Sequence, residues 1–215
     1  MNQETHCPLC AGMRVSHYFS DSRRPFLQCN TCKLVFVPME WHLDPDREKA
    51  QYDLHQNDPN DSGYRLFLSR LVSPLLERLS PGARGLDFGC GPGPALSRML
   101  CDAGFEVALF DKFYAADEGP LTGKYEFITA TEVVEHLRRP GWELERLWSL
   151  LSSRGWLGIM TKLVRDPVAF ASWHYKNDPT HISFYSPDTW RWWAAEHGAS
   201  LEIIGADVIL LQRAT

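Results

Sequence analysis

No stretch of the 215-residue sequence comes near the roughly 20 consecutive apolar residues that a bilayer-spanning helix requires, so a transmembrane helix is excluded. The opening residues lack the basic-then-apolar pattern of a secretory signal, and a cytoplasmic protein without a membrane partner is expected. Positive charge is also scarce. Lysine and arginine total 22 against 27 aspartate and glutamate, a net charge of -5, which argues against strong non-specific nucleic-acid binding but not against a local basic patch. Internal repeats and low-complexity tracts are missing as well. What remains is ordinary globular composition, 44% hydrophobic and 23% charged. That suits one large domain with a small appendage.

The six cysteines are unevenly placed. Four form two pairs, Cys7-Pro8-Leu9-Cys10 and Cys29-Asn30-Thr31-Cys32, with 18 residues between them. Each CxxC presents two sulfurs from one tight turn, and two such knuckles complete a tetrahedron around zinc. Two disulfides or a redox pair are the alternatives. Without a secretory signal or a thioredoxin-like context, zinc is the preferred reading. With all four positions taken by Cys7, Cys10, Cys29 and Cys32, the ion would be structural.

Residues 1–38 therefore read as a zinc ribbon, too short to fold on a hydrophobic core alone. Residues 39–81 read as a helical linker or lid, with a short helix over 47–55 and an amphipathic one over 63–79. Tyr52, His55 and Tyr64 are candidates to lie over a site, with simple packing of Tyr64, Phe67 and Leu71 on the sheet as the equal alternative. From residue 82 onward strands alternate with helices, the pattern of an α/β sheet. Strands are expected at 84–88, 105–110, 127–130, 155–161 and 208–211, and helices at 95–103, 132–137, 142–151 and 188–197. Trp190 and Trp193 share a face of the last helix, where core packing is preferred to stacking on a substrate.

The most informative segment is Gly85-Leu86-Asp87-Phe88-Gly89-Cys90-Gly91-Pro92-Gly93. A strand enters a glycine turn that lets a ligand approach the backbone, then feeds a helix N-terminus. Twenty residues after Gly91, Asp111 ends the next strand, where a carboxylate can accept both hydroxyls of a ribose. A dinucleotide site would want a third glycine where Pro94 stands, and a P-loop would need a GK[ST] that is missing. A nucleoside-containing cofactor other than these is implied.

In these residues the chain resembles the class I S-adenosylmethionine (SAM)-dependent methyltransferases, from about residue 82 to the C-terminus. The resemblance implies a Rossmann-like α/β sheet, here preceded by the zinc ribbon and helical linker. It implies that Gly89, Cys90 and Gly91 line the cofactor, that Asp111 holds its ribose, and that Asp87 braces the loop or meets the cofactor's amino group. The segment 129–137, with Thr131 and Glu132, matches the family's fourth-strand motif that closes over the cofactor. Ribbons of this kind precede such domains in sugar C-methyltransferases, some ribosomal-RNA methyltransferases and many bacterial members. One departure is clear. Only 13 residues, 112–124, follow Asp111 before the next strand segment, too few for the family's third strand and its flanking helices. The adenine contacts are left open, with Asp117 and Glu118 as candidates that read more readily as solvated turn residues.

Methyl transfer from a sulfonium is an in-line displacement, governed largely by positioning and desolvation. The acceptor side is expected beyond the carboxyl ends of the strands, which nominates His136, His174 and His181, with Tyr175 and Asp178 as weaker candidates. Glu132, Glu135 and His136 at i, i+3 and i+4 would share a helical face. With His181 they resemble the ExxEH…His magnesium or manganese site of small-RNA 3′-terminal 2′-O-methyltransferases. The expected function is SAM-dependent methyl transfer to a small molecule. The alternatives are an RNA methyltransferase, metal-assisted in one version, and a decayed domain acting as an adaptor.

Overall fold

The structure, a computed structural model, describes residues 5–54 and 58–215. His55 lies outside the described residues. Strands β1 (Val15–Ser20), β2 (Pro25–Cys29) and β3 (Val35–Phe36) build the small N-terminal sheet. Helices α1 (Pro45–Tyr52) and α2 (Ser62–Leu76) form the linker. The larger unit continues with β4 (Arg84–Phe88), α3 (Ala95–Asp102), β5 (Glu106–Phe110), β6 (Tyr125–Thr131), α4 (Pro140–Leu150) and β7 (Leu151–Met160). It closes with α5 (Pro167–Ala171), β8 (Ser183–Phe184), α6 (Pro187–Glu196), β9 (Ser200–Ile204) and β10 (Val208–Gln212).

The main sheet runs β5-β4-β6-β7-β10-β9. Its first four strands are parallel, and β10 is antiparallel to both β7 and β9. Parallel strands covered on both faces read as unbroken apolar runs, and Leu86, Phe127, Ile128, Leu157 and Ile159 are all fully buried. On one face lies α2, whose Leu68, Leu71, Val72 and Leu75 pack with Phe127 and Met160. Asp61 caps this helix by accepting the Tyr64 amide. On the other face Leu144, Leu147 and Trp148 of α4 meet Trp190 and Trp193 of α6. Trp190 and Trp193 are core, Trp190 stacked on Tyr185 and Trp193 edge-on to Trp148. At Gly85 any side chain would strike the Phe127 ring, since an added Cβ would sit 2.1 Å from it.

The short connection after Asp111 contains no strand: it forms a turn closed by Asp111 and Ala115 and a single 3-10 turn, Gly119–Thr122. Strand β5 is consequently a sheet edge. Two expectations need correction. Residues 132–137 are not an α-helix, because the Glu132 amide stays bonded to the Met160 carbonyl, extending the sheet's bonding past the strand end. Glu132 is thereby held at φ +52°, and only one 3-10 turn follows, Val134–His136. The edge strand β9 was not anticipated, since its short, half-buried Ser200–Ile204 run carries little periodicity.

The N-terminal sheet also gains a fourth strand from the larger unit: β3 pairs with β8. Arg24 reinforces the join by donating to the carbonyls of Lys176, Asp178, Pro179 and His181. The amide of Gly141, at the start of α4, donates to the Pro8 carbonyl. The ribbon therefore holds the loop that carries His174 and His181.

Candidate active site

The glycine turn is built as a cradle. Gly89 and Gly91 have φ of +75° and +65°, in the region that L side chains rarely adopt. An added Cβ at Gly89 would lie 2.4 Å from Val133, so the turn from β4 and the turn from β6 close on each other. The Gly89 and Cys90 amides donate to the Phe110 carbonyl at 2.7 and 3.3 Å. Asp111 is fixed by three backbone donors, Gly91, Phe113 and Tyr114, at 3.0, 2.8 and 3.1 Å. Asp87 sits beneath the turn instead of lining it. It is buried and accepts from Thr129 at 2.8 Å, and burial pushes its carboxyl up to about 6.

These groups open onto a cavity of about 920 Å³ that also reaches Thr131, Glu132, His136, His174, Tyr175 and His181. Strand ends and the loop after β7 thus converge at one end of the sheet. Gly89, Cys90, Gly91 and Asp111 line the same cavity. Burial raises the Cys90 thiol to about 12, which keeps it protonated and makes it wall instead of nucleophile. Helix α1 is the roof. Its Glu48 is buried and takes Lys112 at 2.5 Å, Arg138 at 3.0 Å and the Tyr52 hydroxyl at 2.9 Å. The Tyr52 ring stands edge-on to His136, 5.1 Å between centroids.

A family model described as a methyltransferase domain matches residues 61–202. The chain belongs to this methyltransferase family. Solved structures agree on the fold. The magnesium protoporphyrin IX methyltransferase of Synechocystis, with bound S-adenosylhomocysteine, is 16% identical, aligned over 79% of this chain and 94% of that one, with a TM-score of 0.55. The 1,6-didemethyltoxoflavin-N1-methyltransferase of Burkholderia thailandensis, holding its substrate and S-adenosylhomocysteine, is 13% identical over 93% and 99%, with a TM-score of 0.53. The CurJ carbon methyltransferase is longer: the chain spans 58% of it, with 78% of this chain covered, 16% identity and a TM-score of 0.47. Among curated proteins none matches in sequence.

The methyltransferase cavity fits a SAM-type cofactor. Thr131 Oγ1 and Glu132 Oε1 are buried and find no hydrogen-bond partner within the protein, and Asp111 adds a fixed acceptor. Unpaired buried acceptors are costly unless a ligand brings donors, and SAM brings ribose hydroxyls and an ammonium group.

At the far end, Tyr175 links two buried carboxyls, donating to Glu135 and lying 3.3 Å from Glu132. Burial raises both carboxyls, and the Glu132 charge adds to the effect on Glu135. His136 Nδ1 meets the Thr180 carbonyl at 3.2 Å, and His181 Nδ1 meets the Tyr175 carbonyl at 2.8 Å. A carbonyl only accepts, so each Nδ1 carries a proton. Burial and the neighbouring His181 lower His136 to about 3, so it is neutral at ordinary pH. One ligand atom from each of Glu135, His136 and His181 lies within 4.8 Å of the others. Glu132 is not in that set, which corrects the expected helical face of Glu132, Glu135 and His136. His174, at the rim, meets Lys162 at 3.0 Å. Sequence reasoning missed Lys112, Phe113, Trp142, Glu143, Arg146 and Lys162 in the wall. Only the position of Lys112 and Phe113, directly after Asp111, offered a signal.

The four ribbon cysteines converge. Cys7 and Cys32 sulfurs are 3.4 Å apart, Cys10 and Cys29 3.5 Å, and all four lie within 4.8 Å. A disulfide needs about 2.05 Å, whereas thiolates about 2.3 Å from a tetrahedral zinc stand roughly 3.8 Å apart. The spacing suits zinc. Among the described residues no helix is long and apolar enough to cross a membrane.

Proposed function

We propose that this methyltransferase transfers a methyl group from SAM to a small-molecule acceptor in the cytoplasm. Residues 1–38 would be a structural zinc ribbon, 39–81 the roofing linker and 82–215 the catalytic domain. The observation that carries the reading is one cavity joining the glycine cradle and Asp111 to the histidine end. SAM, when bound, supplies an electrophilic methyl group. Asp111 accepts the ribose hydroxyls, Gly89, Cys90 and Gly91 allow close approach, Thr131 and Glu132 accept from the amino-acid part, and Asp87 braces the turn. Tyr52 and α1 exclude water. The acceptor meets His136 and His181, the neutral His136 orienting it through its Nε2 lone pair, with His174 at the rim. The porphyrin and toxoflavin enzymes act on small molecules, and the net charge of -5 favours such a partner over nucleic acid.

A second reading places a magnesium or manganese ion on Glu135, His136 and His181. It is favoured by the unpaired, buried Glu135 Oε2 and by one ligand atom from each of the three residues lying within 4.8 Å of the others, with Nδ1 bonds to backbone carbonyls orienting the rings. Such an ion would acidify an acceptor hydroxyl.

The test is label transfer from methyl-labelled SAM into separated small-molecule and RNA fractions of a cell extract, with and without added magnesium or manganese. Label in small molecules supports the proposal, and label confined to RNA selects the RNA methyltransferase. Binding of SAM without any transfer would favour the adaptor.

A further inference from the structure

We propose that the Glu143 carboxylate recognises the exocyclic amino group of the cofactor's aminopurine, a role the missing third strand leaves vacant. The inference rests on the SAM reading. With the ribose at Asp111, the base projects away from the glycine turn and from the histidine end. The cavity wall there includes Phe113 and, from α4, Trp142, Glu143 and Arg146. Helix α4 and the end of β5 thus line the same cavity. Lys112, which directly follows Asp111, lies within electrostatic reach of Glu143, as do Arg139 and Arg146. The carboxylate therefore shares the cavity with the ribose acid.

Glu143 Oε2 is buried and finds no hydrogen-bond donor. Neither arginine satisfies it: both guanidinium groups lie over the Trp142 ring, at 5.8 and 5.2 Å. A desolvated carboxylate oxygen without a donor is unfavourable, and an N–H from a bound aminopurine removes the deficit. Trp142 and Phe113 supply apolar surface for a base. The two acids closer in sequence to the missing strand do not compete. Asp117 is spent on the Gly119 amide at 3.0 Å, and Glu118 is exposed, so water serves it.

The experiment is calorimetry on the zinc-loaded full chain with two ligands: S-adenosylhomocysteine and its analogue carrying hydrogen in place of the 6-amino group. One hydrogen bond to a charged acceptor predicts that wild type prefers the amino ligand by about 10- to 100-fold. Glu143→Ala should bind both with a ratio near one, and Glu118→Gln should keep the wild-type ratio. Because each ratio is taken within one variant, a general loss of stability cancels. An unchanged ratio in Glu143→Ala, or a ratio lost in Glu118→Gln instead, overturns the proposal. Failure of wild type to bind either ligand would instead overturn the SAM reading on which it rests.

Discussion

Glu48→Gln removes one charge from the junction between the roof and the sheet, and its cost can be worked out. Glu48 is 5% exposed and accepts from Lys112, Arg138 and Tyr52. Bonds to a charged acceptor contribute about 1.5–3 kcal/mol each when buried. Lys112 and Arg138 side chains are 51% and 39% exposed, so solvent screening reduces each to at most about 1 kcal/mol. The glutamine oxygen still accepts one of the three bonds. A loss of about 2 kcal/mol follows, which for a chain of this size lowers Tm by roughly 4–8 °C. Burial pushes the Glu48 carboxyl up, but Lys112, the Tyr52 hydroxyl and Arg138 outweigh it and hold the carboxyl below the ordinary range. The ionic part of the junction is therefore complete above the unfolded glutamate pKa of about 4.3 and is lost as pH falls through the lower folded value. Thermal melts of the two proteins should differ most at neutral pH and approach each other in acid. A melting point within about 1 °C of wild type at neutral pH would show that the roof is not held by this charge.

Elemental analysis of protein purified without added metal should find one zinc per chain, and Cys29→Ser should lose it together with the fold of residues 1–38; two intact disulfides would refute the site. Gly85→Ala should destabilise by about 1–3 kcal/mol through its collision with Phe127, read by urea unfolding. Ala at His136 or His181 should leave S-adenosylhomocysteine affinity nearly unchanged and cut turnover by about 10²–10⁴-fold. If Glu135, His136 and His181 hold an ion, chelated enzyme should regain turnover only when magnesium or manganese accompanies zinc.

The cradle and its acid were legible because local chemistry dictates them: glycines at positive φ and a strand-terminal aspartate leave a mark that needs no tertiary context. The missing strand was legible from chain length alone. The turn after β6 was not, because helical spacing in 132–137 was overridden by the Glu132–Met160 backbone bond, a contact between strands far apart in sequence. The same holds for the union of ribbon and domain through β8, a two-residue strand that only Val35 and Phe36 define. Glu48, Glu143 and Arg146 were invisible for a related reason. Each is an ordinary charged residue on a helix until folding places Glu143 and Arg146 in the cavity wall and Glu48 against Lys112 and Arg138.

The central claim is that the cradle and Asp111 bind SAM. Calorimetry of S-adenosylhomocysteine with the zinc-loaded chain should show one ligand bound per chain, and Asp111→Ala should weaken it by at least about tenfold through loss of the ribose acceptor. Absence of binding to wild type, or equal affinity in Asp111→Ala, would contradict it.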